Sequence, residues 1–224
     1  MEKSLLKLRQ CKERFAFDKA KRSKHGVICG IDEAGRGPWV GRVYAAAVIL
    51  DDDIFIEGLN DSKKLSEAQR EHFYTEITMQ ALAYSVAWAE VEEIEQLNIL
   101  QATFLAMKRA YEGLGISVDL ALADGNRLPP LPCKTETVIK GDSLSASIAA
   151  AGILAKVSRD RYMAELDREY PQYGFMSHKG YGTPQHIAAL QKYGITPLHR
   201  RSFLKKQEAK LGKFPEYSED MFEK

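Results

Sequence analysis

Five short runs of apolar and β-branched residues, each ended by glycine, proline or acidic residues, set the pattern of this sequence. Runs of this length and composition are typical of β-strands. We predict strands at Val27 to Ile31, Val43 to Leu50, Ala83 to Ala89, Asp119 to Ala123 and Thr137 to Lys140. Only about a dozen residues, among them three glycines and one proline, separate the first two runs. Because no crossover helix fits into so short a connection, we expect an antiparallel hairpin.

Longer segments with apolar residues at helical spacing lie before, between and after these runs. They predict helices over residues 3–22, 67–81, 91–96, 98–113, 143–170, 184–193 and 200–212. Ser66 is expected to cap the second helix, and Pro171 to end the long alanine-rich one. The order of elements predicts an α/β fold, with a five-stranded mixed sheet flanked by helices and a C-terminal helical extension.

Charge is balanced over the whole chain but not along it. The sequence holds 32 lysines and arginines against 31 aspartates and glutamates, a formal net charge of +1. Residues 1–25 nevertheless hold nine basic residues against three acidic ones, and residues 178–213 hold eight against Glu208 alone. Each basic run by itself fits the solvated face of a helix as well as it fits a surface that binds a polyanion. Two basic ends around a neutral middle favour a polyanionic partner.

Several protein classes are excluded by what the sequence lacks. No stretch approaches about 18 apolar residues, so we expect no membrane span. The basic N-terminal segment has no apolar core of the kind found in signal peptides. Three widely spaced cysteines, Cys11, Cys29 and Cys133, form no pair that indicates a disulfide framework or a cysteine zinc site. We therefore expect a reducing, cytoplasmic location.

Two nucleotide-binding motifs are excluded as well. Gly35, Gly37 and Gly41 resemble a dinucleotide fingerprint, but the spacing is GxGxxxG instead of GxGxxG. These glycines also lead into a predicted strand, so no helix N-terminus is available for a pyrophosphate. The GxxxxGK[ST] pattern of a P-loop is absent.

Four acidic residues stand at the ends of predicted strands. Asp32 and Glu33 follow the first strand, Asp124 the fourth, and Asp142 the fifth. Any one of them is explained as well by a turn or a helix cap. Ligands of open α/β sheets, however, bind beyond the carboxyl ends of the strands. Gathered carboxylates without His or Cys select hard cations such as Mg²⁺ or Mn²⁺, and two such ions hydrolyse phosphodiesters in many nucleases.

Six motifs, in order along the chain, resemble bacterial ribonuclease HII, a type 2 ribonuclease H. They are Ile31-Asp32-Glu33-Ala34-Gly35-Arg36-Gly37-Pro38, Asp61-Ser62-Lys63-Lys64-Leu65, Asp124-Gly125, Lys140-Gly141-Asp142, Ala155-Lys156-Val157-Ser158-Arg159-Asp160 and His178-Lys179-Gly180-Tyr181-Gly182-Thr183. The resemblance runs from about Val27 to Phe203. In one departure, Gly41-Arg42 stands where the family usually has a second Gly-Pro, and no role is predicted for Trp39.

The resemblance implies an RNase H-like fold and a metal-dependent endoribonuclease. The family hydrolyses the RNA strand of RNA/DNA hybrids, including single ribonucleotides embedded in duplex DNA. Matching the motifs implies that the metal-binding, catalytic carboxylates are Asp32, Glu33, Asp124 and Asp142. It also implies that Gly35, Arg36 and Gly37 sense the ribose 2′-OH, and that Tyr181 stacks near the ribonucleotide–deoxyribonucleotide junction.

The residue types suit these roles. Only the 2′-OH distinguishes a ribonucleotide from its neighbours, and glycine lets the backbone approach a sugar closely. Lys63 and Lys64 lie in a loop, and Arg200 lies in the basic C-terminal region. We predict that these three contact substrate phosphates, which position a protein without reading base sequence.

Four segments are predicted: an N-terminal basic helix at 1–24, an RNase H-like catalytic domain at 25–176, a helical substrate-binding extension at 177–212 and an acidic tail at 213–224. The expected partner is an RNA/DNA hybrid duplex or duplex DNA containing ribonucleotides, with Mg²⁺ or Mn²⁺ as cofactor, no membrane, and a monomer by default. Two other functions remain open at this point. One is a DNA-directed nuclease or recombinase on the same acid-bearing fold, and the other is a hybrid-binding module without activity.

Overall fold

The computed structural model describes residues 2–218, with side chains from residue 5. Its helices are α1 (Glu2–His25), α2 (Glu67–Gln80), α3 (Val91–Leu97), α4 (Ile99–Glu112), α5 (Ala146–Glu169), α6 (Phe175–His178), α7 (Pro184–Tyr193) and α8 (Arg201–Leu211). Its strands are β1 (Ile28–Ala34), β2 (Val43–Ile49), β3 (Ala83–Ala89), β4 (Leu120–Asp124) and β5 (Lys134–Val138). No helix within residues 2–218 is long and apolar enough to cross a membrane.

The five strands form one mixed sheet in the order β3-β2-β1-β4-β5. β1 and β2 pair antiparallel, with Ile31 opposite Ala47, so the predicted hairpin is confirmed. β1 pairs parallel with β4, and β4 pairs parallel with β5. Every residue of β2 is buried. Because β1 and β4 are adjacent and parallel, their carboxyl ends lie at the same edge of the sheet.

The chain divides into two compact units that interleave along the sequence. The first takes the described residues up to 34 together with 44–88 and 103–158, and the second takes 35–43, 89–102 and the described residues from 159 onward. The predicted boundaries at 24/25 and 176/177 do not coincide with these divisions. Of the predicted acidic tail, residues 219–224 lie outside the described residues.

Helix α1 is built into the first unit, although the family resemblance does not include it. Cys11, Arg14 and Asp18 on this helix are buried. The Asp18 carboxylate accepts two hydrogen bonds of 2.7 Å from the backbone N–H and the hydroxyl of Ser147, in the first turn of α5. A carboxylate on α1 thus caps α5, because the first N–H groups of a helix have no partner within it.

The last strand and the residues around it differ from the prediction. β5 begins at Lys134 and ends at Val138, three and two residues earlier than expected. Ile139, in the middle of the predicted strand, is 68% exposed and does not join the sheet. Lys140 then adopts a left-handed backbone (φ 56°) and opens a 3₁₀ helix, Gly141–Ser143. Asp142 therefore stands on this short helix and not directly at a strand end.

Candidate active site

The four predicted carboxylates all lie in the first unit, at one edge of the sheet. Asp32 and Glu33 are the antepenultimate and penultimate residues of β1, which runs further than predicted, and Asp124 is the last residue of β4. Ile31 and Ala123 are register partners, so the acids that follow them stand at the same level on adjacent strands. Asp142 approaches from the 3₁₀ helix after β5. Asp32 and Asp142 are each only 6% exposed.

Backbone N–H groups orient two of these carboxylates. One Asp32 carboxylate oxygen accepts a 2.7 Å hydrogen bond from the Glu33 N–H. One Asp124 oxygen accepts a 2.6 Å bond from the Gly141 N–H. On the α5 side, a Cβ at residue 152 would overlap the other Asp32 oxygen, so Gly152 is needed for this approach. Asp32 thus has one oxygen fixed by the backbone and the other beside a residue without a side chain.

Burial and mutual repulsion act together on these acids. Burial raises the pKa of Asp32 well above its usual value, and the charges of Glu33, Asp124 and Asp142 raise it further. The pKa of Asp124 is also raised, first by burial and then by Asp142, against the opposing hydrogen bond from Gly141. Protons compete for a site of this kind because its negative charge is incompletely balanced. A cation would relieve the same imbalance.

Of the two lysines in the loop before α2, Lys63 approaches one of the four acids and Lys64 approaches the neighbouring Ser143. The Asp61 carboxylate accepts a 2.9 Å hydrogen bond from the Lys63 N–H and so fixes the loop. The Lys63 Nζ lies 3.2 Å from an Asp142 oxygen, and the Lys64 Nζ lies 3.2 Å from the Ser143 hydroxyl. Burial lowers the pKa of Lys63, but the hydrogen bond and charge of Asp142 outweigh it, and the net shift is upward. Lys63 therefore supplies one positive charge at the carboxylates.

The donor set fits hard divalent cations. Four carboxylates from β1, β4 and the 3₁₀ helix supply only oxygen ligands, which Mg²⁺ and Mn²⁺ prefer. The ammonium group at Asp142 shows that the cluster accepts a cation. Within residues 2–218, no three His, Cys, Asp or Glu side chains already stand in a metal-holding arrangement. Holding a metal ion here would therefore require the carboxylates to rearrange.

The glycine-rich loop, residues 35–41, lies in the second unit and packs on Arg159. Gly35 has a positive φ of 97°, a backbone conformation that side chains disfavour. A Cβ there would also overlap the Arg159 guanidinium, which is buried and donates a 3.1 Å bond to the Lys179 carbonyl. Arg36 and Gly37 are exposed. The loop thus presents these two residues to solvent while its base is packed.

Arg200 lies in the interior, which corrects the prediction that it contacts phosphate. Its relative exposure is 0%. Its guanidinium donates to the carbonyls of Gly41 (2.8 Å), Pro38 (2.8 Å), Arg42 (3.0 Å) and Arg36 (3.2 Å). All four carbonyls belong to the glycine-rich loop and the segment after it. Arg200 therefore stabilises this loop from the interior of the unit and does not reach a ligand at the surface.

Tyr181 and Trp39 complete the surroundings of the glycine-rich loop. The Tyr181 side chain is half exposed, and its ring edge lies 3.3 Å from the place that a Cβ at Gly37 would occupy. Trp39, for which the sequence suggested no role, packs its ring near that of His186, with 5.6 Å between centroids. A Cβ at Gly182 would overlap the Trp39 indole. Trp39 thus fills the space beside the Tyr181 loop.

Arg42, the departure from the family pattern, also has partners within the second unit. Its Nε donates a 2.8 Å bond to Glu90, and its guanidinium lies 4.8 Å from the centroid of the Tyr162 ring. A proline at this position would lose both interactions. Arg42 therefore anchors the end of the loop within the second unit.

Sequence reasoning missed Arg159 and a histidine cluster formed by His178, His186 and His199. A signal for Arg159 was present: it continues the buried i, i+3, i+4 row of α5 after Gly152 and Ala155. An arginine in such a row is buried and needs partners. The histidines show no spacing that indicates a shared site, since their contacts come from separate turns.

The histidine cluster predicts loss of stability in acid. Burial lowers the pKa of His186 to about 4 and that of His199 to about 3, and the neighbouring His186, Arg201 and His178 add to the lowering at His199. Unfolded histidine titrates near 6.5, so the stabilisation is complete above that pH and is lost as the pH falls toward 4. Each residue contributes at most about 1.4 kcal/mol per pH unit. Thermal unfolding measured between pH 7.5 and 4.5 tests this slope. As a control, His72→Asn at an exposed histidine should show the same dependence of stability on pH as the wild-type chain.

The comparisons with known proteins agree on one family. A family model described as Ribonuclease HII matches residues 29–206. The ribonuclease HII of Albidiferax ferrireducens is 60% identical over 178 residues, covering 80% of this chain and 86% of the relative. That of Burkholderia pseudomallei is 57% identical over 183 residues, covering 82% and 86%. The crystal structure of ribonuclease H2 from Pyrococcus horikoshii is similar with a TM-score of 0.69 and 26% identity, over 82% of this chain and 98% of that one.

Proposed function

Because the chain belongs to the ribonuclease HII family, we propose that it hydrolyses the RNA strand of RNA/DNA hybrids and cuts at single ribonucleotides embedded in duplex DNA. The predicted RNase H-like fold is confirmed by the likeness to the Pyrococcus enzyme. The observation that carries the proposal is the gathering of Asp32, Glu33 and Asp124 at the carboxyl ends of β1 and β4 with Asp142 of the 3₁₀ helix, where burial and repulsion raise the pKa of Asp32. Such a site is suited to divalent metal ions and a phosphodiester.

Mg²⁺ or Mn²⁺ would be held by Asp32, Glu33, Asp124 and Asp142. When bound, such ions activate a water molecule and stabilise the leaving oxygen of the phosphodiester. The chain prepares the ligands, since backbone N–H groups hold one oxygen each of Asp32 and Asp124. Lys63, whose Nζ lies 3.2 Å from Asp142, would place its positive charge beside the scissile phosphate. Lys64 would contact a neighbouring phosphate.

The glycine-rich loop and Tyr181 would distinguish ribose from deoxyribose. Arg36 and Gly37 are exposed, and the backbone around Gly37 can approach a sugar because no Cβ blocks it. The loop is also rigid at its base, since Arg159 and Arg200 donate to carbonyls of residues 36–42 and 179. A rigid backbone favours recognition of a single hydroxyl, because misplacement by about 1 Å can lower a rate 10²-fold. Tyr181, half exposed beside Gly37, would stack on the junction.

The decisive experiment is cleavage of a duplex with one ribonucleotide in otherwise DNA strands, with Mg²⁺ or with EDTA, and with product ends mapped. We expect cleavage at the ribonucleotide with metal and none with EDTA. The matched control is the same duplex with deoxyribose throughout, which should stay intact. Equal cleavage of the control would favour a DNA-directed nuclease or recombinase. Binding in EDTA without scission in Mg²⁺ would favour a hybrid-binding module. Parallel reactions with Mn²⁺ establish the preferred ion.

The remaining details of the assignment are proposals of the same kind. We propose that the chain acts in the cytoplasm as a monomer, and that residues 177–212 contribute to substrate binding next to a catalytic domain at 25–176. Light scattering after size-exclusion chromatography tests the monomer directly. A dimer at micromolar concentration would contradict it.

A further inference from the structure

The buried histidines of the second unit form a directed hydrogen-bond chain that ends at Tyr181. The Nδ1 of His186 lies 3.0 Å from the Tyr181 carbonyl oxygen. A carbonyl only accepts, so this nitrogen carries the proton and donates. In the neutral ring the Nε2 of His186 is therefore an acceptor.

His199 supplies the donor that this acceptor needs. The backbone N–H of Thr196 donates to the Nδ1 of His199 at 3.1 Å, and the Thr196 hydroxyl lies 2.8 Å from the same nitrogen. The proton of neutral His199 consequently resides on Nε2, which lies 3.1 Å from the Nε2 of His186. The contacts thus select one tautomer for each ring. The hydrogen-bond chain runs from Thr196 through His199 and His186 to the Tyr181 carbonyl.

The hydrogen-bond chain links the interior of the unit to the backbone of a residue whose side chain is exposed. His186 is 0% and His199 2% exposed, whereas Tyr181 is 50% exposed. The Tyr181 backbone is also tied by its N–H to the His178 carbonyl (2.9 Å), and its carbonyl accepts a second bond from the Thr183 N–H (2.8 Å). Burial favours the neutral rings that this hydrogen-bond pattern requires. Hydrogen bonds from buried groups therefore fix the Tyr181 backbone, while its side chain is half exposed.

We infer that His186 and His199 are positioning residues for Tyr181 and set the placement of its ring against the substrate. The inference rests on the proposed function, in which Tyr181 contacts the ribonucleotide junction. Neither histidine would touch the substrate or the metal. Each acts only through the tyrosine loop, so the effect of changing it should depend on whether the Tyr181 ring is present.

Two substitutions of His186 separate its hydrogen bond to Tyr181 from its hydrogen bond to His199. The Asn amide nitrogen takes the place of Nδ1, so His186→Asn can keep the donor to the Tyr181 carbonyl and loses the acceptor for His199. The Gln amide oxygen reaches the place of Nε2, so His186→Gln can keep the partner of His199 and loses the donor to Tyr181. We expect His186→Gln to lower kcat/KM for the single-ribonucleotide duplex by about 10- to 100-fold, the range for loss of an orienting partner. His186→Asn should lose less than His186→Gln.

A double-mutant cycle with Tyr181→Ala provides the readout that a general loss of stability would not produce. In the Tyr181→Ala background, His186→Gln should change kcat/KM by less than about twofold, because the group through which it acts is gone. Equal losses in both backgrounds would overturn the inference, as would full activity of His186→Gln with Tyr181 in place. An unchanged rate for Tyr181→Ala alone would overturn it too.

Amide hydrogen exchange supplies a test that does not depend on activity. His186→Gln should lower protection at Tyr181 and Thr183 more than His186→Asn does, with core strand β1 as the internal reference. Unchanged protection in both variants would overturn the inference even if the wild-type chain cuts the ribonucleotide duplex. Conversely, a wild-type chain that fails to cut while the protection pattern holds would refute the proposed function and leave the hydrogen-bond chain as observed.

Discussion

Asp32→Asn is expected to lower metal-dependent cleavage of a single-ribonucleotide duplex by at least about 10²- to 10³-fold, while the metal-free protein becomes more stable. The first effect follows because Asp32 interacts with all three other acids: the charges of Glu33, Asp124 and Asp142 raise its pKa. Removing its charge removes a ligand for the ions that the reaction needs.

The gain in stability has a separate physical cause. Asn keeps an oxygen that can accept the 2.7 Å bond from the Glu33 N–H, and its volume matches the space left by Gly152. The repulsion between this buried position and the other three acids disappears. A gain of about 1 kcal/mol would raise the Tm by roughly 2–4 °C for a chain of this length. Residues kept for function at the expense of stability are common in active sites.

Thermal unfolding with increasing Mg²⁺ tests both parts of this prediction together. A ligand that binds only the folded state raises its stability, so the wild-type Tm should rise with Mg²⁺. In Asp32→Asn the starting Tm should be higher and the rise smaller. Asp53→Asn, at an exposed acid in the turn after β2, serves as the control and should keep wild-type activity and response. Undiminished cleavage by Asp32→Asn would refute the assignment of this residue.

The hairpin and the acids at the sheet edge could be predicted because local sequence determines them. The connection between Ile31 and Val43 is too short for a helix, and the carboxyl ends of parallel strands must meet. β5 was misplaced because it is an edge strand, in which Ile139 remains exposed although it looks like a core residue. Lys140 ends the strand by turning its backbone left-handed, which nothing in a lysine indicates.

Arg200 and the histidine chain could not be predicted because the groups that fix them are mainly backbone carbonyls and N–H groups. A basic run suggests an exposed surface, and the exposed Arg201 on the same run follows that expectation. Arg200 differs because it bonds to carbonyls about 160 positions earlier, between Arg36 and Arg42. The tautomers of His186 and His199 likewise depend on a backbone carbonyl and a backbone N–H, which no side-chain pattern reports.

Arg200→Lys is expected to lower kcat/KM for the single-ribonucleotide duplex by about 10²-fold or more, as a displaced recognition loop would. A lysine ammonium has three donors at one point, whereas the guanidinium donates in a planar fork to Arg36, Pro38, Gly41 and Arg42. At least one of these carbonyls would lose its partner, and each buried group left without one costs about 1–3 kcal/mol. We therefore expect lower thermal stability and a mobile glycine-rich loop.

Arg201→Lys is the matched control for this substitution. Arg201 is the next residue, its side chain is 54% exposed, and it pairs with Glu216. An exposed ion pair contributes about 1 kcal/mol or less, so this variant should keep near-wild-type activity and Tm. If Arg200→Lys kept the wild-type Tm and only weakened binding of the duplex, with a smaller dependence on salt, then Arg200 would be the phosphate contact that the sequence suggested. A lower Tm with an unchanged salt dependence would instead establish Arg200 as the support of the loop.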